Sequence, residues 1–227
     1  MPLIADEIKA LVERVYNEER VLVHGVNWDF YEAVLEEVGN RPIRVTYNEG
    51  ELEIMPPPSG EHEDDANYIS DLLKAACNEF KIDYRSQRTR TWRRKDLDCG
   101  LEADECFYIQ NYDRVARGKS INLPAEPPPD IAIEIDISRS STKKHEIYAK
   151  LQVPELWRRY KGHLTFFALK DGKYEMIEES LAFPGLTARD IERFVKSFYE
   201  LRTLEALEAF RKWVRKNLKK PAERRAK

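Results

Sequence analysis

The segment 131–137 constrains the fold most, because apolar residues there alternate with two acids. It reads Ile131-Ala-Ile-Glu-Ile-Asp-Ile137. A nearly continuous apolar, β-branched run of this length is typical of a strand that is buried on both faces. Alternate residues of a strand share a face, so Glu134 and Asp136 are expected to point the same way, with Ile133 and Ile135 opposite.

Two carboxylates on one face of a buried strand repel each other and are costly to desolvate, so a cationic partner is expected beside Glu134 and Asp136. A divalent metal such as Mg²⁺ is one such partner, because it binds one or two carboxylates and keeps several waters. A salt bridge to Arg or Lys from a neighbouring strand is the other, and the residues alone leave both open. Asp104 is a further acid within a short predicted strand.

The patterns around this strand predict an α/β (α+β) fold with a mixed β-sheet flanked by helices. Helices are predicted over 3–20, 27–38, 61–80, 142–152, 188–199 and 203–218. Strands are predicted over 43–54 (a hairpin), 82–95, 102–109, 131–137, 156–160, 164–169 and 174–177. We expect one domain over 1–227, with a core of about 41–180 between N-terminal helices within 1–40 and C-terminal helices within 187–218 followed by a basic tail.

Composition excludes several classes of protein. The chain has 227 residues with nine Gly and twelve Pro, too few for collagen or low-complexity disorder. Three Cys without a CxxC motif argue against a zinc site or a disulfide framework. No apolar run approaches the ~20 residues of a membrane span. We therefore expect a soluble, cytoplasmic protein.

Basic residues occur at two places that favour contact with phosphate. Residues 85–95 carry Arg85, Arg88, Arg90 and Arg93 around Trp92, which suits contact with a nucleic-acid backbone but also suits a charged edge strand. Residues 211–227 carry nine Lys or Arg and one acid, a net charge of +8. This tail is interpreted either as a polyanion contact or as a solvated helix end.

Two helix starts carry further candidate residues. Lys143 and Lys144 lie at the start of the helix after strand 131–137, where free backbone N–H groups favour anions, although both also suit an exposed helix surface. Glu61 and His62 open the helix 61–80 within an acidic run, which suits either metal ligation or a favourable interaction with the helix dipole.

Several motifs in one order resemble a known family, the bacterial Uma family of restriction-endonuclease-like proteins, which belongs to the PD-(D/E)XK nuclease superfamily. The motifs cover roughly residues 43–160. They are Tyr47-x-x-Gly50-x-Leu52-x-Ile54-Met55-x-Pro57, His62, Glu102-Ala-Asp104, Pro129-Asp130-x-x-x-Glu134-x-x-x-Ser138, Lys144-x-x-x-Tyr148 and Val153-Pro-Glu-Leu-Trp157. The resemblance implies a helix-flanked mixed sheet with a Mg²⁺ (or Mn²⁺) site.

The resemblance also implies roles for individual residues. Asp104 and Glu134 match the acids of the family, and Lys144 matches the Lys four residues before the Tyr. Asp136 occupies the position of the superfamily's signature Lys, so Lys144 is expected to supply the amine. We expect Asp104, Glu134, Asp136 and Lys144 to be catalytic. We expect the metal to be held by Asp104 and Glu134, with Glu61 or His62 as further ligands.

The principal functional hypothesis is a metal-dependent endonuclease that hydrolyses DNA phosphodiester bonds, with DNA as substrate and a homodimer as its assembly. A second hypothesis is a catalytically decayed nuclease fold that acts as a nucleic-acid-binding or interaction module. A third is a structural protein whose carboxylates are paired with Arg. Neither the metal nor the salt-bridge explanation is excluded by the residues themselves.

Overall fold

Two β-sheets with helices against them form the centre of the molecule in a computed structural model that describes residues 2–16, 20–57, 60–88, 91–115, 126–136 and 144–220. The helices are α1 (Pro2–Tyr16), α2 (Trp28–Val38), α3 (Gly60–Phe80), α4 (Lys144–Lys150), α5 (Ala188–Glu200) and α6 (Thr203–Asn217). The strands are β1 (Val21–His24), β2 (Arg44–Asn48), β3 (Glu51–Met55), β4 (Arg85–Ser86), β5 (Thr91–Arg94), β6 (Cys99–Glu102), β7 (Glu105–Tyr108), β8 (Ile131–Asp136), β9 (Glu155–Tyr160), β10 (His163–Lys170) and β11 (Lys173–Ile177). The predicted α/β class, a mixed sheet flanked by helices, is confirmed.

The first sheet, sheet A, is antiparallel throughout and has the order β1-β3-β2-β6-β5. Helices α1 and α2 supply the residues that bury its hydrophobic side, including Val12 and Tyr31. The Asn27 side chain caps α2 by accepting the Phe30 N–H at 3.0 Å, and Gly39 ends that helix with a positive φ of 56°. Both capping residues are visible in the sequence, and the helix begins and ends where they predict.

The second sheet, sheet B, has the order β11-β10-β9-β8-β7-β4, and β8 with β9 is the one parallel pair among its described strands. A parallel pair needs a crossover connection, and α4 lies within the segment that joins these two strands. Helices α3, α5 and α6 cover the face that carries Ile133 and Ile135. On the opposite face Ala132 and Leu156 pack with α4 and with strands of sheet A.

Two predicted strands differ from the structure, and one strand was not predicted. The segment predicted as one strand over 82–95 contains two strands in different sheets, because β4 pairs with β7 whereas β5 pairs with β6. The predicted strand 102–109 is interrupted at Ala103 and Asp104, where the chain leaves sheet A and enters sheet B. The N-terminal region also contains a strand, β1, which pairs with β3 and is too short for its periodicity to be recognised.

The described part of the chain contains no helix with both the length and the hydrophobicity to cross a membrane.

A buried carboxylate at the start of β9 makes stability depend on pH. Glu155 accepts the Trp157 indole N–H at 2.6 Å and the Ala182 backbone N–H at 3.0 Å. Burial nevertheless raises its pKa from 4.5 to about 7. The folded chain therefore holds this proton more tightly than the unfolded chain, so the free energy of unfolding falls as pH rises from about 4.5 to about 7.

We expect Glu155→Gln to flatten this dependence, because the amide does not titrate. At about 1.36 kcal/mol per pKa unit the difference between wild type and variant changes by roughly 3 kcal/mol at most between pH 5 and pH 8. Urea unfolding at both pH values measures it, with the exposed Glu175→Gln as the control. An equal pH dependence in wild type and Glu155→Gln would contradict the assignment.

Candidate active site

Asp104 lies where the chain passes between the two sheets, and its carboxylate is almost fully buried, with 1% of the residue exposed. Its Oδ2 accepts the backbone N–H of Ile135 at 2.6 Å and lies 3.2 Å from His62 Nε2. Its Oδ1 forms an ion pair with the Arg44 guanidinium. The residue therefore joins β2 of sheet A, the start of α3 and β8 of sheet B.

Glu134 lies in β8 and is held by two side chains of α4. Lys144 Nζ donates to Glu134 Oε2 at 2.6 Å, and the Tyr148 hydroxyl donates to Oε1. Lys144 and Tyr148 are four residues apart on α4, so both project from the same face of the helix. Only 8% of Lys144 is exposed, which excludes its alternative interpretation as a surface charge.

Asp136 follows Glu134 on the same face of β8 and forms an ion pair with Arg158 of β9. The register places Glu134 beside Arg158 and Asp136 beside Tyr160. Residues that are paired across parallel strands project to the same side, so this face carries acids on one strand and an arginine on the next. The salt bridge from a neighbouring strand, which the sequence left open, is present at Asp136.

The charges in this cluster act on one another. Burial by itself raises the pKa of Asp104, but the His62 hydrogen bond and the charges of Arg44 and Lys144 outweigh it and hold that pKa below its ordinary value. Burial raises the pKa of Glu134 to about 7 despite the opposing charge of Lys144, and the nearby negative charge of Asp104 adds to the rise. The charges of Glu134 and Asp104 overcome burial and raise the pKa of Lys144, which keeps the amine protonated.

Arg44 is the residue of this cluster that sequence reasoning missed. Its guanidinium contacts Asp104 and lies 3.2 Å from His62 Nε2 and 3.7 Å from Glu63. Ile43, Val45 and Tyr47 alternate along the same stretch, so Arg44 lies on the other face of a strand that is buried along its whole length. A charged residue inside such a strand was a signal that a buried acid lay opposite. Tyr148 and Arg158 were also given no role.

The carboxylates of Asp104 and Glu134 have the chemistry of a Mg²⁺ site. They belong to the same cluster, and Mg²⁺ is commonly bound by one or two carboxylates together with water and phosphate oxygens. Asp104 Oδ2 and both Glu134 oxygens accept hydrogen bonds, and Asp104 Oδ1 is in an ion pair with Arg44, so an ion would compete with Arg44 and Lys144 for these carboxylates. Within the described residues no three His, Cys, Asp or Glu side chains form a ready-made metal cluster.

The other predicted metal ligands are placed differently. His62 contacts Asp104 and is buried. Glu61 lies in α3, but its side chain is outside the described part of the structure. Asp130, which is not among the predicted metal ligands, follows Pro129, accepts the backbone N–H groups of Ile109, Gln110 and Asn111, and so shapes a turn.

The predicted nucleic-acid contacts within 85–95 are mostly occupied by the protein itself. Arg85 donates to the Val115 carbonyl and lies over the Tyr112 ring. Arg88 forms an ion pair with Glu63 at 2.6 Å. Arg93 is half exposed, 3.5 Å from Glu32, and Arg90 lies outside the described residues.

Part of the basic tail forms ion pairs with α3. Arg215 forms an ion pair with Glu79 of α3 at 2.7 Å, and Arg211 lies 3.9 Å from the same carboxylate. Residues 221–227 lie outside the described part of the chain. The tail is therefore, in part, a packed helix end.

Comparison with known proteins gives one family match. A family model, Uma2, described as "Putative restriction endonuclease", matches residues 28–195. Among solved structures, the chain is similar to a crystal structure described as a putative nuclease belonging to DUF820 from Anabaena variabilis ATCC 29413. Identity is 17%, the TM-score is 0.48, and the match covers 66% of this chain and 90% of that chain. None of the curated proteins matches.

Proposed function

The chain belongs to the Uma2 family of restriction-endonuclease-like nucleases, and from this membership we propose that it is a metal-dependent endonuclease that hydrolyses DNA phosphodiester bonds. Asp104 and Glu134 would hold Mg²⁺ or Mn²⁺, and Lys144 would supply the amine. One observation carries the proposal: Lys144 is buried against Glu134 in the same cluster as Asp104. Two buried acids can hold a divalent ion, and a buried lysine beside them can stabilise the negative charge that develops in phosphoryl transfer.

A bound divalent ion would polarise a phosphoryl oxygen and acidify a water molecule. The residues of the chain prepare the site for this chemistry. The Ile135 N–H fixes the orientation of Asp104, and the Tyr148 hydroxyl fixes that of Glu134. Lys144 presents a preorganised positive charge, which stabilises the negative charge that develops on the phosphoryl oxygens.

Arg44 has to move when an ion and a phosphate bind, because it occupies the same carboxylate of Asp104. Glu63 lies 3.7 Å from the guanidinium and provides a second acid toward which Arg44 can turn. A substrate phosphate provides another partner of the same charge. Arg44 therefore neutralises Asp104 until the site is filled.

A decayed nuclease that only binds nucleic acid is the second candidate. Two observations favour it: Asp136 occupies the position of the superfamily's lysine, and an Arg or Lys pairs with each of the three acids Asp104, Glu134 and Asp136. The two candidates differ in whether divalent ions produce cleavage. A homodimer that would cut both strands of a duplex stays a prediction.

The test is the conversion of closed-circular plasmid DNA to nicked and linear forms by the purified chain. We expect conversion with Mg²⁺ or Mn²⁺ and none with EDTA, because the acids cannot activate water without the ion. An RNA of matched sequence, run alongside, defines the substrate. DNA binding without cleavage in any divalent ion would reject the enzyme and support the decayed module.

A further inference from the structure

We propose that Arg158, Tyr160 and Lys161 at the carboxyl end of β9 form a phosphate-contacting surface, which guides a DNA strand into the candidate active site. This inference rests on the proposed function, because DNA is the partner that it names. We call this surface the β9 cation pair, because Arg158 and Lys161 both lie against the Tyr160 ring.

The surface lies on the same side of sheet B as the acids. The register places Glu134 beside Arg158 and Asp136 beside Tyr160, and neighbouring strands are about 4.8 Å apart. A nucleic-acid strand carries one phosphate for every ~3.4 Å along its axis. A strand that runs from a phosphate at Glu134 across β8 toward β9 would therefore place its next phosphates over β9.

β9 becomes more exposed toward this end. Leu156 and Trp157 are buried, Arg158 to Tyr160 are partly exposed, and Lys161 is exposed. Arg159 points to the opposite face, where it pairs with Asp65 at 2.6 Å. Arg158 and Lys161 thus place positive charge between the buried acids and the surface.

The Tyr160 ring holds the two cations together. The Arg158 guanidinium carbon lies 5.6 Å from the ring centroid and Lys161 Nζ lies 5.3 Å from it. Cations at this distance are attracted by the ring electrons, which offsets their mutual repulsion. Two like charges held near each other form a favourable seat for a phosphodiester anion. Asp136 balances Arg158, so within the described residues Lys161 supplies the charge that has no ion-pair partner.

The turn after β9 permits a clean removal of the Lys161 charge. Lys161 and Gly162 both have positive φ, at 49° and 82°, in the two-residue turn between β9 and β10. This geometry favours Asn-Gly in particular. Lys161→Asn therefore removes the charge and retains the turn.

The segment 85–95 is the competing surface, and it is less suited to this role. Arg85 and Arg88 are bound to a carbonyl and to a carboxylate of the protein. Arg93 belongs to β5 at the edge of sheet A, whereas β9 is adjacent to the strand that carries Glu134. The position of the β9 cation pair relative to the acids is the reason for preferring it.

The experiment is DNA binding by the full chain, measured by fluorescence anisotropy in EDTA at several salt concentrations. Lys161→Asn is expected to weaken binding about tenfold and to lower the salt slope by about 1. Tyr160→Val, which removes the ring but suits a strand, is expected to weaken binding similarly, and Tyr160→Phe is expected to leave it unchanged. Lys173→Asn makes the same charge change on the exposed edge strand β11 and is the control.

The outcomes separate this surface from the nuclease proposal. Equal binding and salt slope for wild type and Lys161→Asn, or equal losses for Lys161→Asn and Lys173→Asn, would overturn the surface. Absence of DNA binding by the wild type would overturn it too. Weakened binding of Lys161→Asn in a chain that cuts no DNA would support the surface and reject the endonuclease. DNA cleavage together with DNA binding that Lys161→Asn leaves unchanged would reject the surface and support the endonuclease.

Discussion

Asp104→Ala is expected to reduce Mg²⁺-dependent DNA cleavage to background. Changing a residue that only orients a metal ligand lowers activity by up to roughly 100-fold. Asp104→Ala removes a proposed ligand itself, so its loss of activity should be larger. It also leaves the Arg44 guanidinium buried without its main counter-charge. Breaking a buried pair in this way costs about 3–5 kcal/mol of stability. Plasmid cleavage and urea unfolding measure the two effects separately.

Asp65→Asn is the matched control for Asp104→Ala. Asp65 is also a buried acid paired with an arginine, Arg159, but it contacts α5 and the other face of sheet B rather than the cluster. We expect this variant to lose stability and to keep its cleavage activity when it is assayed well below its melting temperature. Undiminished cleavage by Asp104→Ala would reject the assignment of the site.

Lys144→Met is expected to lower the cleavage rate about 10²- to 10³-fold, which is the usual effect of removing one preorganised group that stabilises a developing negative charge. It also removes the cation that opposes the rise in the pKa of Glu134. Glu134 then binds a proton more readily near neutral pH, which makes it a poorer ligand for a divalent ion. Single-turnover cleavage rates at saturating Mg²⁺ provide the measurement.

Lys150→Met tests whether this loss is specific to Lys144. Lys150 lies on the same helix and contacts Asn48 at 2.8 Å and Glu49 at 2.9 Å, away from the acids. We expect its cleavage rate to stay close to that of the wild type. Equal losses in the two variants would show that α4 was disturbed as a whole, and the role of Lys144 would then be withdrawn.

Periodicity and local signals predicted most of the elements because they depend on neighbouring residues. The alternation in 131–137 gave the side of β8 on which Glu134 and Asp136 lie, and Asn27 and Gly39 marked the limits of α2. The segment 82–95 could not be predicted in this way. Its strands separate because they pair with different sheets, and that partner choice is set by distant parts of the chain.

The acids of the candidate site were predictable from their positions in apolar strands, whereas their roles depended on motifs. The family resemblance pointed to Asp104, Glu134 and Lys144, the structure brings the three into one cluster, and their catalytic roles stay a prediction. Arg44 is 60 residues before Asp104 in the chain and carries no motif, so its contact follows from tertiary packing alone. The buried ion pair of Asp136 was one of two open alternatives, and only the register of β8 and β9 distinguishes them.

The position of Asp104 between Arg44 of β2 and the Ile135 amide of β8 has a consequence for how the protein opens. One hydrophobic cluster belongs to sheet B and another to sheet A, and a third, which includes Leu101 and Leu156, joins them, so one sheet opens alone only when that shared packing breaks. A ligand that binds both Asp104 and Glu134 links the two regions. Slow amide hydrogen exchange would then extend from sheet B into β2. Binding at the site would therefore make the two sheets open together.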